Sequence, residues 1–331
     1  MAEVRADGAT TSTTAGAPGA PSDATSPQRL SARDWARVLQ RAGREVLDDR
    51  LMLYAAGVSF FALLSIAPLL VTAMSVYGAI NTPQEAMEQL SEVVRKLPDE
   101  LQPLVADQLT TITTASGQVL TVRGLIGLLL ALFTATTAAT YLIDALTLAY
   151  HETETRSLLR RTLLAVVFVL AGALLVGAVL VGAGMVSDWL DSAPGPVRAA
   201  GPVLAWVVLA TLLAMTLSLL YRFAPDRKQA RWRWISVGAL AATVLWLGTS
   251  VALLAYVQTL GSYETTYGPL AGVAISMFWL WLTVFLLIVG ASVNAETERQ
   301  TVRDSTVGPE RPLGERGAVV ADSAPPYPGE E

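Results

Sequence analysis

An all-α, polytopic membrane protein is the fold class this sequence predicts. Three observations predict it: six long apolar stretches, a mean hydropathy of +0.47 with only 15% charged residues, and basic residues gathered on alternate sides of the stretches. A soluble domain of this size would carry more charge. A helix needs roughly 20 apolar residues to cross the hydrocarbon. Segments at about 53–80, 121–149, 160–186, 201–222, 234–258 and 268–294 each supply them.

Residues 1–28 are rich in Ala, Thr, Ser, Pro and Gly and poor in apolar side chains. Such a segment cannot bury enough surface to offset chain entropy, so a disordered tail is expected. No apolar core follows a basic start, so it does not read as a signal peptide. Residues 305–331 have the same character and are expected to be a second disordered tail. Between the tails, 29–304 form the membrane domain.

A short helix is expected over 31–49. Ser31 serves as its N-cap, with Asp34 three residues on. Trp35, Val38, Leu39, Ala42 and Val46 form one stripe, and Arg33, Arg37, Arg41 and Arg44 line another face. Such a helix suits an anionic inner leaflet; an ordinary solvated helix has the same pattern.

Topology follows from the basic residues near span ends. Arg29 to Arg50 precede span 1. Arg156, Arg160 and Arg161 separate spans 2 and 3. Arg222, Arg227, Lys228, Arg231 and Arg233 separate spans 4 and 5, and Arg299 and Arg303 follow span 6. The opposite side has only Arg95, Lys96, Arg123 and Arg198. Both termini are therefore placed in the cytoplasm. The large external loop, about 81–120, has apolar residues at helical spacing, and Pro98 marks a second helix start. Two amphipathic helices are expected there, either capping a cavity or resting on the membrane.

Span 1 contains Pro68, which should kink it. Its small residues around Gly57 and Ser59 favour close helix packing. On span 2, Thr134, Thr137, Tyr141 and Asp144 fall on one face. A carboxylate within a span is costly unless it faces protein or water. The face is either the wall of a polar cavity or a structural seam where Asp144 meets a neighbouring helix or Arg. Span 3 carries small residues at Ala173, Gly177, Ala178 and Gly182, a packing signal with oligomerisation as the other reading. Arg222 and Arg227, with Trp232 and Trp234 nearby, read as interface anchors or as a site for acidic headgroups. At the end of span 6, Asn294 and Glu296 are placed to meet cytoplasmic arginines.

These segments together resemble the YihY/virulence factor BrkB family of bacterial inner-membrane proteins. The resemblance rests on Leu64-Ser65-Ile66-Ala67-Pro68, the Thr-rich stretch before Leu142-Ile143-Asp144-Ala145-Leu146, and Tyr221-Arg222-Phe223-Ala224-Pro225. It continues through the turn Ser262-Tyr263-Glu264-Thr265-Thr266-Tyr267-Gly268 and Gly290-Ala291-Ser292-Val293-Asn294-Ala295. It covers roughly 35–300. Ser292 and Glu264 depart from it, standing where relatives often have Glu and Asn. The resemblance implies a six-helix inner-membrane fold and no settled activity.

Some members of that family have been labelled ribonuclease BN. Metal-assisted RNA cleavage needs clustered carboxylates or histidines beside a basic surface. Here the arginines follow membrane topology, the chain has no Cys, and His151 is its single histidine. Disulfides and thiolate metal sites are excluded. No nucleophile–base pair, P-loop or nucleotide loop is present. The sequence therefore points away from an enzyme, a cofactor, a metal centre or a nucleic-acid partner. It points to a protein that binds or moves a lipid or other amphiphile. Thr134, Thr137, Tyr141 and Asp144 would line its cavity, and Arg222, Arg227 and Asn294 would complete the site. The alternative is a membrane scaffold for an envelope protein partner. A homo-oligomer is compatible with either.

Overall fold

The structure, a computed structural model, describes residues 22–48, 51–80, 117–192, 194–259 and 270–323. The expected external helices of 81–116, the turn at 260–269 and the chain before 22 and after 323 lie outside the described residues. Eight α-helices are described: α1 (Ala32–Asp48), α2 (Leu51–Ile80), α3 (Gly117–Ala149), α4 (Leu158–Asp191), α5 (Gly195–Phe223), α6 (Trp232–Thr259), α7 (Leu270–Arg299) and the single turn α8 (Val319–Asp322). Six of them, α2 to α7, are long and apolar enough to cross a membrane. They are all-α spans at the expected places, and the protein is a multi-pass inner-membrane protein with both termini cytoplasmic.

The helices form a ring. α2 packs most extensively on α3, and α7 closes against both. α6 follows α7, α5 follows α6, and α4 returns to α3. The α2–α3 contact depends on a small residue opposite the proline. A Cβ on Gly127 would lie 2.7 Å from the Thr72 hydroxyl and 3.0 Å from the Pro68 carbonyl. Glycine thus lets α3 approach the backbone of α2. Thr72 donates its hydroxyl to the Pro68 carbonyl at 2.8 Å, adding a bond next to the interrupted helix.

The α6–α7 contact is tighter still. A Cβ on Gly238 would collide with the Gly290 carbonyl, and one on Gly290 would collide with the Tyr221 hydroxyl. Two polar side chains exploit this closeness. Asn294 accepts the Gly238 N–H at 2.7 Å and donates to the Ile235 carbonyl at 2.8 Å. Tyr221 on α5 donates to the Leu287 carbonyl on α7 at 2.6 Å. All three spans are thereby tied together over about two turns of α7.

Helix α1 begins as expected. The Asp34 N–H donates to the Ser31 hydroxyl at 3.2 Å, and Asp34 accepts the Ser31 N–H at 3.0 Å, a reciprocal cap. Its stripe splits. Val38, Ala42 and Val46 are buried, on a helix that packs on α7, whereas Leu39 and Leu47 stay exposed.

Two expected disordered tails need correction. Residues 22–30 and 301–323 are ordered and fold together over the cytoplasmic end. Ser22 donates its N–H to the Gln300 carbonyl at 2.7 Å and accepts the Val302 N–H at 3.0 Å. Arg316 is buried and donates to the carbonyls of Ala321 and Val302 at 2.7 and 2.6 Å. Asp304 accepts the Thr306 N–H and hydroxyl, each at 2.8 Å, and the Arg311 N–H at 3.1 Å. The composition argument failed because a dense set of polar bonds, together with a few buried apolar residues such as Leu30 and Val320, organises this strap.

Two outcomes follow. Gly238→Ala should wedge α6 from α7 and cost about 1–3 kcal/mol, read as a lower unfolding temperature in nanodiscs. Burial raises the Asp304 carboxyl, but its hydrogen bonds outweigh this and hold it below the usual carboxylate range. Its stabilisation is complete above the unfolded value of about 3.9 and is lost as pH falls through the folded value. At neutral pH, Asp304→Asn should mimic the acid state and speed trypsin cleavage at Arg311 and Arg316 several-fold.

Candidate functional site

Two regions bring polar chemistry and open space together: the α4–α5 seam with the adjoining face of α3, and the cytoplasmic cap.

The seam is closed at both ends and open between them. At its external end Gly201 on α5 sits against Leu190 on α4; a Cβ there would lie 2.6 Å from the leucine side chain. At its cytoplasmic end, Arg156 donates to the Ala224 carbonyl at 2.8 Å and the Thr155 N–H donates to Asp226 at 2.8 Å. Between these ties the helices touch little. Gly172, Gly177, Gly182 and Gly184 have open space where a Cβ would point. Only 6% of the apolar stretch of α4 and 11% of that of α5 is buried, against 33% for α3. The small residues of α4 therefore make no described close packing. They leave the α4–α5 contact loosely packed between its two ties.

On α3, the predicted polar face lies between α2 and α4. Tyr141 is 39% exposed and stacks on Phe61 of α2 with ring centres 5.6 Å apart. Thr137 donates its hydroxyl to the Phe133 carbonyl at 2.8 Å, and Thr134 is buried and bonded to the Leu130 carbonyl at 2.9 Å. Asp144 is ion-paired with Arg161 at the start of α4. Both partners keep about a fifth of their side-chain surface exposed. The other Asp144 oxygen and the Arg161 Nε have no hydrogen-bond partner. The pair is thus satisfied on one side only. Thr137, Tyr141 and Asp144 come together on this face; Thr134 turns into the packing.

The remaining predicted residues are spread through the cap. Arg222 donates to the Ala230 carbonyl at 3.0 Å, lies 4.4 Å from the Trp232 ring centre and keeps part of its surface open. This is the geometry of an interface anchor. Arg227 needs correction as a headgroup contact. Its side chain is 2% exposed and grips Glu298 with two bonds, 2.8 and 3.2 Å, beneath the ring of Tyr150. Glu298 also accepts the Ser305 hydroxyl at 2.8 Å. Asn294 needs the same correction: it is fully buried, serves the α6–α7 clamp and meets no arginine. Glu296 does meet arginines, Arg41 from α1 and Arg299 on its own helix.

Sequence reasoning missed one group, formed by Glu45, His151 and Glu296. His151 follows the end of α3 in the left-handed region, at φ +57°. The Glu152 N–H reaches the Thr147 carbonyl at 3.0 Å and the His151 N–H reaches that of Leu148 at 2.8 Å. This is the Schellman ending, whose left-handed position usually holds glycine. The His151 Nε2 lies 3.5 Å from Glu45 and 3.6 Å from Glu296. Glu296, and to a lesser degree Glu45, raise the imidazole pKa, while burial opposes them. An imidazole in a glycine position was the one available signal in the sequence.

Comparison with known proteins fits this architecture. The profile of the family described as virulence factor BrkB matches residues 42–314. The chain belongs to the virulence factor BrkB family. A UPF0761 membrane protein of Rhodospirillum centenum is 31% identical over 276 residues, 81% of this chain and 59% of that protein. A UPF0761 membrane protein of Laribacter hongkongensis is 27% identical, covering 81% of this chain and 64% of its own length. The chain thus spans about three fifths of these UPF0761 relatives. YfkH of Bacillus subtilis, which is named as ribonuclease-like, is 27% identical over 73% of this chain and 88% of its own. No solved structure matches. Family membership and the six spans together support a membrane protein of the BrkB type acting at the envelope.

Arg227→Ala should leave Glu298 buried and unpaired, at a cost of about 3–5 kcal/mol. Pairing it with Glu298→Gln should recover much of the loss, as a double-mutant cycle by thermal unfolding would read.

Proposed function

We propose that this BrkB-family protein binds a membrane amphiphile through the α4–α5 aperture and moves it between leaflets. The observation that carries this reading is the seam itself. It is tied by Gly201 against Leu190 outside and by Arg156 and Thr155 against the α5–α6 turn inside, and it is open between. A seam needed only for stability would bury its small residues. Here Leu174, Leu180 and Val181 on α4 and Val203, Leu204 and Val207 on α5 are exposed, so the aperture offers an apolar passage for acyl chains. Arg160 and Arg161 begin α4 on the cytoplasmic side, and Arg222 ends α5 there. These cations suit an anionic headgroup at the inner rim. The half-satisfied Asp144–Arg161 pair gives Arg161 a resting partner that a phosphate can displace.

The test is a lipid-transfer assay in proteoliposomes made with fluorescent anionic phospholipid. Gly177→Trp, which fills the aperture, should reduce transfer strongly while the unfolding temperature stays near that of the parent. Asp144→Asn should alter the transfer rate through Arg161. Equal transfer by parent, Gly177→Trp and protein-free vesicles would sink the proposal and favour the scaffold reading.

A further inference from the structure

We propose that Glu45, His151 and Glu296 form a binding site for a divalent cation of the zinc class, joining α1, the end of α3 and α7 at the cytoplasmic face. The site stands independently of the lipid reading, since none of its residues borders the aperture.

One imidazole nitrogen and two carboxylate oxygens lie within 4.8 Å of one another. The separations of 3.5 and 3.6 Å from the His151 Nε2 to the two carboxylates exceed a hydrogen bond, and that nitrogen has no hydrogen-bond partner. They are close to the edge between neighbouring ligands around a tetrahedral cation with bonds of roughly 2.0–2.2 Å. Imidazole with carboxylates is a donor set that zinc accepts. The three donors come from positions far apart in the chain, so the cation would crosslink three elements.

The surroundings complete the argument. Arg41 holds the Glu296 oxygen that faces away from His151 and is itself fixed by Gln300 at 2.8 Å. This outer partner orients the carboxylate, as outer hydrogen bonds do in metal sites. Two guanidiniums, Arg41 and Arg299, balance the two carboxylates. The extra positive charge is met by helix ends: α1, α3 and α7 all point their C-termini here, each with partial negative charge. His151 keeps 31% of its side chain exposed. The Nε2 and the Glu45 oxygens are themselves buried, so the cation would enter past the exposed edge of the imidazole and sit out of bulk water. Placing a histidine where a left-handed backbone favours glycine is a cost that a ligand role explains.

The chain offers a clean test because it has one histidine and no cysteine. Tag-free full-length protein in nanodiscs, stripped with EDTA, is titrated with zinc chloride at pH 8 by calorimetry. Metal content is counted after desalting. The expected result is one zinc per chain and an upward shift in unfolding temperature on binding. His151→Gly, which suits the left-handed backbone, should fold at least as well and lose both the bound zinc and the shift. Glu45→Gln should weaken binding by about tenfold or more. Failure of the parent protein to take up stoichiometric zinc would overturn the site. So would equal uptake by a folded His151→Gly protein.

Discussion

The cytoplasmic half of the molecule depends on the last three turns of α7. Most of that helix faces lipid, yet residues 290–298 are buried without a break. Three of them are polar anchors that neighbouring elements use: Asn294 for α6, Glu296 for α1 and Glu298 for the α5–α6 turn, while Gly290 leaves room for the Tyr221 hydroxyl of α5. A buried carboxylate is tolerable only when paired and bonded. Once Glu296 and Glu298 are placed there, Arg41 and Arg227 have to follow, and with them the elements that carry these arginines. Burial and pairing thus act as one constraint, and the cap's connectivity follows from it.

The two sides of the ring obey different rules. α2 with α3, and α6 with α7, meet through glycine contacts at backbone distance, where dispersion and interhelical bonds hold helices in lipid. α4 and α5 have Gly and Ala in comparable number, yet among the described residues only Gly201 is used for a close approach between them. A single bilayer-spanning domain therefore contains a rigid wall and a loosely joined one. Few contacts of this kind mark an element of lower local stability, and here that element begins at the Asp144–Arg161 pair.

The spans, the side of the membrane and the family could be read from the sequence because hydropathy and arginine placement are local properties. The Ser31–Asp34 cap was legible for the same reason, whereas the close approach at Pro68 comes from Gly127 rather than from Gly57. The roles of Arg227 and Asn294 were not. Each looks like a rim residue by position, and only the return of α7 and the strap reveals what covers it. The strap itself, residues 301–323, was invisible to a rule that counts apolar side chains. Its order comes in large part from Arg316 and Asp304 bonding backbone groups of the strap itself, from Val302 to Ala321. Glu45, His151 and Glu296 form a group only in space, since no local spacing connects them.

The bridge between Ser22 and the segment after Gln300 bears on how the protein is made. Spans enter the bilayer in chain order as they are synthesised, and N-terminal parts settle first. Ser22, however, finds its backbone partners only after residue 302 has left the ribosome. Until then α1 has no α7 to rest on, and Arg41 has no Glu296. The cytoplasmic contacts of Ser22 and of α1 thus close only once a segment beyond all six spans is available.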